Sequence, residues 1–193
     1  MATTNRIRVL ASVIAVTAAL TSLAACAPTE APAGKYPDLT LGETKSPAQL
    51  LRNEAASRIP ESVIVEVVHS QDISTNCMTE ETDPKGLIRS WDSSVRIKID
   101  AANGPNVQGI VDDLAQSFVD QGWEKSTFGV ASIIDLSSPS STGSIHISTA
   151  KADAETGEGA QIQLTASGPC VETDGADSDE VLNLEKRAAE EEG

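Results

Sequence analysis

The chain has 193 residues, 39% of them hydrophobic but only 3% aromatic, and it carries a formal charge of −15. That excess of acid repels nucleic acid and anionic headgroups, so neither is an expected partner. The length suits one domain with short appended segments rather than several domains.

The N-terminus opens with Arg6 and Arg8, and Val9 to Leu23 is apolar apart from Ser and Thr. This stretch falls short of the roughly 20 apolar residues that a membrane helix needs. It ends in Leu23-Ala24-Ala25-Cys26. Positive start, apolar run and small residues together have the layout of a secretory signal, and the last four residues resemble the lipobox of bacterial lipoproteins. The resemblance implies cleavage after Ala25, a diacylglycerol on the Cys26 thiol, and a lipid anchor on the outer, extracytoplasmic face of the cell membrane. Two acyl chains hold a protein stably where one does not. Residues 1–25 contain two bases and no acid, so the chain from Cys26 onward would carry −17.

Residues 26–46 are rich in Ala and Pro and read as an extended tether. A domain is expected over residues 47–170. Ser46-Pro47 can open a helix in which Leu50, Leu51, Ala55 and Ile59 form the apolar side, stopped by Pro60. Val63–Val68 is largely β-branched and reads as a strand. The strict alternation of Val95-Arg96-Ile97-Lys98-Ile99-Asp100 predicts a second strand with one buried face.

Asn103 to Asn106 is a turn, and Val107, Ile110, Val111, Leu114 and Phe118 then form one helical stripe. Gly122 is placed to close that helix in a left-handed conformation, with Trp123 reaching back to Phe118. Three further strands are expected near 128–136, 144–150 and 160–166, joined by hairpins such as the Ser-rich 137–143. The order α-β-β-α-β-β-β predicts an α+β two-layer sandwich: an antiparallel sheet of about five strands with two helices on one face. Residues 171–193 are acidic and read as a mobile tail in which 180–192 can form a short helix.

The chain has three cysteines. With Cys26 assigned to lipid, Cys77 and Cys170 remain as an even pair, and an oxidising compartment favours a disulfide between them. No nucleophile elbow, zinc-protease motif or P-loop occurs in the sequence. Neither a catalytic set nor a metal or cofactor site is therefore assigned. Residues 174–180 depart from the spacing of a calcium loop. His69 and His146 lie on separate predicted strands, and Phe118, Trp123 and Phe128 belong to the expected core. Trp91 is the aromatic left either for a surface role or for packing on the sheet edge, and Trp91, His69 and His146 are the candidate ligand contacts.

The cysteine pair, the Gly122-Trp123 step and the ending Gly168-Pro169-Cys170 make the whole similar to the small surface lipoproteins of actinobacteria. That resemblance transfers no activity. The expected function is a monomeric, non-enzymatic binding module of the cell envelope that meets an envelope protein through one sheet face. The alternatives are a carrier of lipid or another apolar ligand, and a hydrolase using His146 with Asp135 and a nearby serine.

Overall fold

The computed structural model describes residues 36–100, 107–126, 133–140, 142–150 and 159–191, except for the side chain of His69. The signal, Cys26, the turn before the second helix and Phe128 lie outside these residues. Element order is α1 (Leu41–Ser57), β1 (Ile64–Asn76), β2 (Ile88–Ile99), α2 (Val107–Val119), β3 (Glu124–Ser126), β4 (Ile133–Ser137), β5 (Ser144–Ala150), β6 (Gln161–Ser167), β7 (Val171–Glu172) and α3 (Asp179–Glu191). All strand pairs are antiparallel. They form a seven-stranded sheet ordered β1-β2-β6-β5-β4-β3, with β7 paired to the start of β2. The expected α+β sandwich is present, with two short strands and a third helix added. No helix among the described residues is long and apolar enough to cross a membrane.

The first helix begins six residues earlier than Pro47. Thr40 is its N-cap, and Thr40 and Glu43 form a reciprocal capping box. Two otherwise orphaned backbone donors are satisfied in this way. Pro47 therefore lies inside the helix, where it removes one hydrogen bond. The tether consequently ends before Thr40, and Leu41 is fully buried.

The stripe on α2 is as expected: Ile110, Val111, Leu114 and Phe118 are buried. At its end Gly122 has φ +89°. Trp123 N–H donates to Phe118 O at 3.1 Å and Gly122 N–H to Val119 O at 2.9 Å, the two bonds of a Schellman motif. The rings of Phe118 and Trp123 meet edge-on with centroids 5.0 Å apart. Under α2 lie Ile97, Ile134, Ile145, Ile147, Ile162 and Leu164, all at most 2% exposed.

Both long strands of the first hairpin outrun their apolar segments. β1 continues from His69 to Asn76 and β2 starts at Ile88. The reason is a buried polar network. Ser93 Oγ and Gln49 Nε2 donate to Asp72, and Arg52 Nη1 lies 3.6 Å from it. Arg89 donates from Nε to Ser74 Oγ at 3.0 Å, from Nη2 to Ser74 O at 3.0 Å, and from Nη1 to Asn76 Oδ1. Ser74 Oγ in turn donates to Glu185 of α3 at 2.6 Å. These groups satisfy one another, so Asp72, Ser74, Arg89 and Ser93 occupy inward positions with hydrogen-bond partners.

The acidic tail is corrected by the same contacts. Ser178 caps α3, its Oγ accepting from Val181 N–H at 3.4 Å. Val181 and Ala188 are 1% exposed and join Leu41, Ala48, Trp91 and Val171 in a second cluster. Glu180 accepts from Leu41 N–H at 3.2 Å, and Lys45 Nζ pairs with Glu191 at 2.7 Å. Residues 171–191 are thus an ordered part of the domain. Cys77 and Cys170 form the expected disulfide across 93 residues, with Cα atoms 6.1 Å apart. Gly168 precedes it because an added Cβ would come within 2.9 Å of Thr44 O on α1.

A candidate interaction surface on the open sheet face

Alternation divides each strand into two sets of side chains. On β2 the inward set includes Trp91, Ser93, Val95, Ile97 and Ile99, all buried. These meet residues of α1, α2 or α3, so the three helices share one face. The outward set is polar and half-buried: Asp92, Ser94, Arg96 and Lys98 on β2, then Gln161, Gln163, Thr165 and Ser167 on β6. Ser144, His146 and Ser148 on β5 and Asp135 on β4 continue it.

Strand register arranges this face in rows. One row runs Ser94, Thr165, His146, Asp135, Ser126 across five strands. A second runs Arg96, Gln163, Ser148, Ile133. Within the first row His146 Nδ1 lies 2.7 Å from Asp135 Oδ1. The His146 side chain is 45% exposed and that of Asp135 27%. A carboxylate accepts, so Nδ1 carries the proton in that contact.

A His–Asp pair orients an imidazole, but nucleophilic catalysis also needs a hydroxyl at the other ring nitrogen. Among the described residues no hydroxyl bonds His146. Ser138, Ser140 and Thr142 of the adjacent hairpin bond one another instead. His69 on β1 pairs with Arg96 of β2 and lies three strands from His146. At about 4.8 Å per strand, and with His146 two residues off the Arg96 row, the two histidine backbones stand more than about 14 Å apart, so they do not form one site.

Trp91 is the contact the structure moves furthest. The sequence leaves it either a surface role or packing on the sheet edge, but its place in the inward register of β2 buries it completely under α1 and α3. Its Nε1 has no hydrogen-bond partner among the described residues. Asp92, rather than Trp91, reaches the open face at that level.

A cavity of about 750 Å³ lies between residues 80–86 and 174–180 near the disulfide and is lined by Glu80, Asp83, Lys85, Asp177 and Glu180 among others. Two of its carboxylates bind backbone amides, Glu180 that of Leu41 as above and Asp83 one in its own loop. Asp83 accepts from Ile88 N–H at 2.8 Å, and backbone donation from Leu87 and Ile88 holds its carboxyl below the ordinary 3.8. Among the described residues no three His, Cys, Asp or Glu are placed to hold a metal ion. A groove of about 360 Å³ between Arg58–Pro60 and Gly109–Ser117 lies on the helical side.

The row of hydroxyl, imidazole and carboxylate groups was legible only in part. Period-two alternation identified His146 as outward, but its pairing with Asp135 required the register of β4 against β5. Comparison with protein-family models, with curated proteins and with solved structures finds no match.

Proposed function

We propose that this protein is a lipid-anchored, extracytoplasmic interaction module that docks an envelope protein on the outward face of β2, β6, β5 and β4. The observation that carries the reading is the asymmetry of the sheet. Three helices close one face, whereas the other presents aligned rows of Ser, Thr, Gln, His and Asp. Such a surface offers many hydrogen-bonding groups and little net charge, as the polar part of a protein interface does. The Leu23–Cys26 motif supports export and anchoring.

A photoreactive residue at position 165 of the full-length chain tests the reading in native membranes. A discrete protein adduct from position 165, absent from a control at exposed Lys186 on α3, is expected. Equal labelling from both positions, or none from 165, contradicts it. Cys26→Ala should leave an unacylated precursor, read by mass spectrometry of the N-terminal peptide.

A further inference from the structure

We infer that α3 is the chain's own occupant of a docking groove, and that the groove accepts an acidic amphipathic helix of a partner protein when α3 is displaced. This groove lies on the helical side of the sheet and is independent of the docking proposed for the open face.

The groove is built from both sheet and helix. Its floor is the inward side of β1 and β2 near the disulfide, where Ser74, Arg89 and Trp91 are all buried. Leu41 and Ala48 of α1 form the flank. Into this space α3 places Val181, Leu184, Glu185 and Ala188. Positions i, i+3, i+4 and i+7 are those by which an amphipathic helix fills a groove. A second helix of the same spacing therefore fits the same walls.

The hold on α3 is light. Val181 and Ala188 are its only buried residues, and Leu182 is 50% exposed. Its other ties are polar and lie toward its two ends. Glu180 Oε1 accepts from Leu41 N–H at 3.2 Å, and Lys45 Nζ meets Glu191, whose side chain is 63% exposed. The disulfide closes at Cys170, ahead of Asp179, so α3 lies outside the loop that the bridge closes. Elements with so little apolar burial open at lower free energy than the core they cover.

What α3 leaves unsatisfied identifies the chemistry of the other occupant. Arg89 is 7% exposed, yet its guanidinium donates only to neutral oxygens, those of Ser74 and Asn76. Among the described residues no carboxylate pairs with it. Glu185 comes near only through Ser74, accepting from its hydroxyl at 2.6 Å and its N–H at 3.3 Å. Trp91 Nε1, in the cluster that Val181 and Ala188 complete, has no acceptor among the described residues. A buried cation without a direct counter-ion and a buried donor without an acceptor each carry a desolvation cost. A helix whose carboxylate bonds Arg89 directly, and which offers an oxygen to Trp91, removes both costs. The groove thus admits a better occupant than α3, and the missing group is an anion.

A dye-labelled peptide of residues 178–191 is the probe, titrated against the full-length protein and against Val181→Asp/Ala188→Asp, which undocks α3. Saturable binding to the variant is expected, at least about tenfold tighter than to the unaltered chain, whose own α3 competes at high effective concentration. A peptide carrying Glu185→Gln should bind about tenfold more weakly, because its bonds to the groove lose their charge assistance. A variant that keeps a cooperatively folded sheet but binds no peptide overturns the inference. Binding indifferent to Glu185→Gln overturns the acidic partner, and a dimer of the unaltered chain with exchanged α3 assigns the groove to a second copy instead. Native-state hydrogen exchange of the unaltered protein decides the matter even where the variant fails to fold. The amides of α3 should open as a unit while those of α2 stay protected, and opening of α3 only with global unfolding makes it core and overturns the inference.

Discussion

The two ends of the core are built from different chemistry. Beneath α2, the sheet meets the helix through Ile, Leu, Val and Phe, and the cluster is fully apolar. Beneath α3, inward positions of β1 and β2 carry Asp72, Ser74, Arg89 and Ser93, and only Trp91 and a few small aliphatic groups are apolar. Burial drives the first end directly, at about 25 cal/mol per Å². The second end is stabilised only when every polar partner is in place, because a half-satisfied network is costlier than an apolar one. One sheet thus joins a core that tolerates imprecision to one that specifies its partners.

Substitutions should separate the two ends. Phe118→Ala removes a fully buried ring that meets Trp123 edge-on and lies under Arg58, whose guanidinium carbon is 3.7 Å from the ring centroid. It should cost about 3–5 kcal/mol in denaturant unfolding. Ser74→Ala strands donors of Arg89 and one oxygen of Glu185. It should cost about 1–3 kcal/mol, and Ser74→Thr should recover part of the loss.

Hydrogen exchange sharpens the same contrast. Amides of α3 should exchange faster than those of α2, because Val181 and Ala188 are its only fully buried apolar residues. Gly122→Ala places a Cβ at φ +89° and should cost about 1 kcal/mol at the α2 end.

The smallest effect concerns pH. Glu43 is held below its ordinary 4.5 by donation from the Thr40 backbone and hydroxyl. Asp83 is held below 3.8 by the Leu87 and Ile88 amides. Both contributions are present above the ordinary values and are lost as pH falls through the lowered ones. Stability should therefore drop on acidification below about pH 4, and Asp83→Asn should flatten that limb of the pH–stability curve.

The same division explains what could be read without coordinates. The α2 stripe, its Gly122 stop, β5 and β6 follow apolar periodicity and were legible within a residue or so. The Cys77–Cys170 bridge followed from parity once Cys26 was assigned elsewhere. The second half of β1 was not legible, because Asp72 and Ser74 look like loop residues until Gln49, Ser93 and Glu185 are brought to them from distant sequence. For α1, the pair Thr40 and Glu43 carried the true start, but Ser46-Pro47 offered a competing one. For α3, Val181, Leu184 and Ala188 form a stripe that the surrounding acids obscured. Trp91 was misplaced for a related reason: without the register of β2, nothing distinguishes its inward position from the outward one of Asp92.

Hydroxyl-radical footprinting of the full-length protein, purified and in its native envelope, tests the docking face most directly. His146 on the sheet face and Leu50 on α1, 66% exposed, should both react in the purified chain. In the envelope, the account predicts protection of His146 with Leu50 unchanged. Equal reactivity of His146 in both states, or protection confined to Leu50, would contradict it.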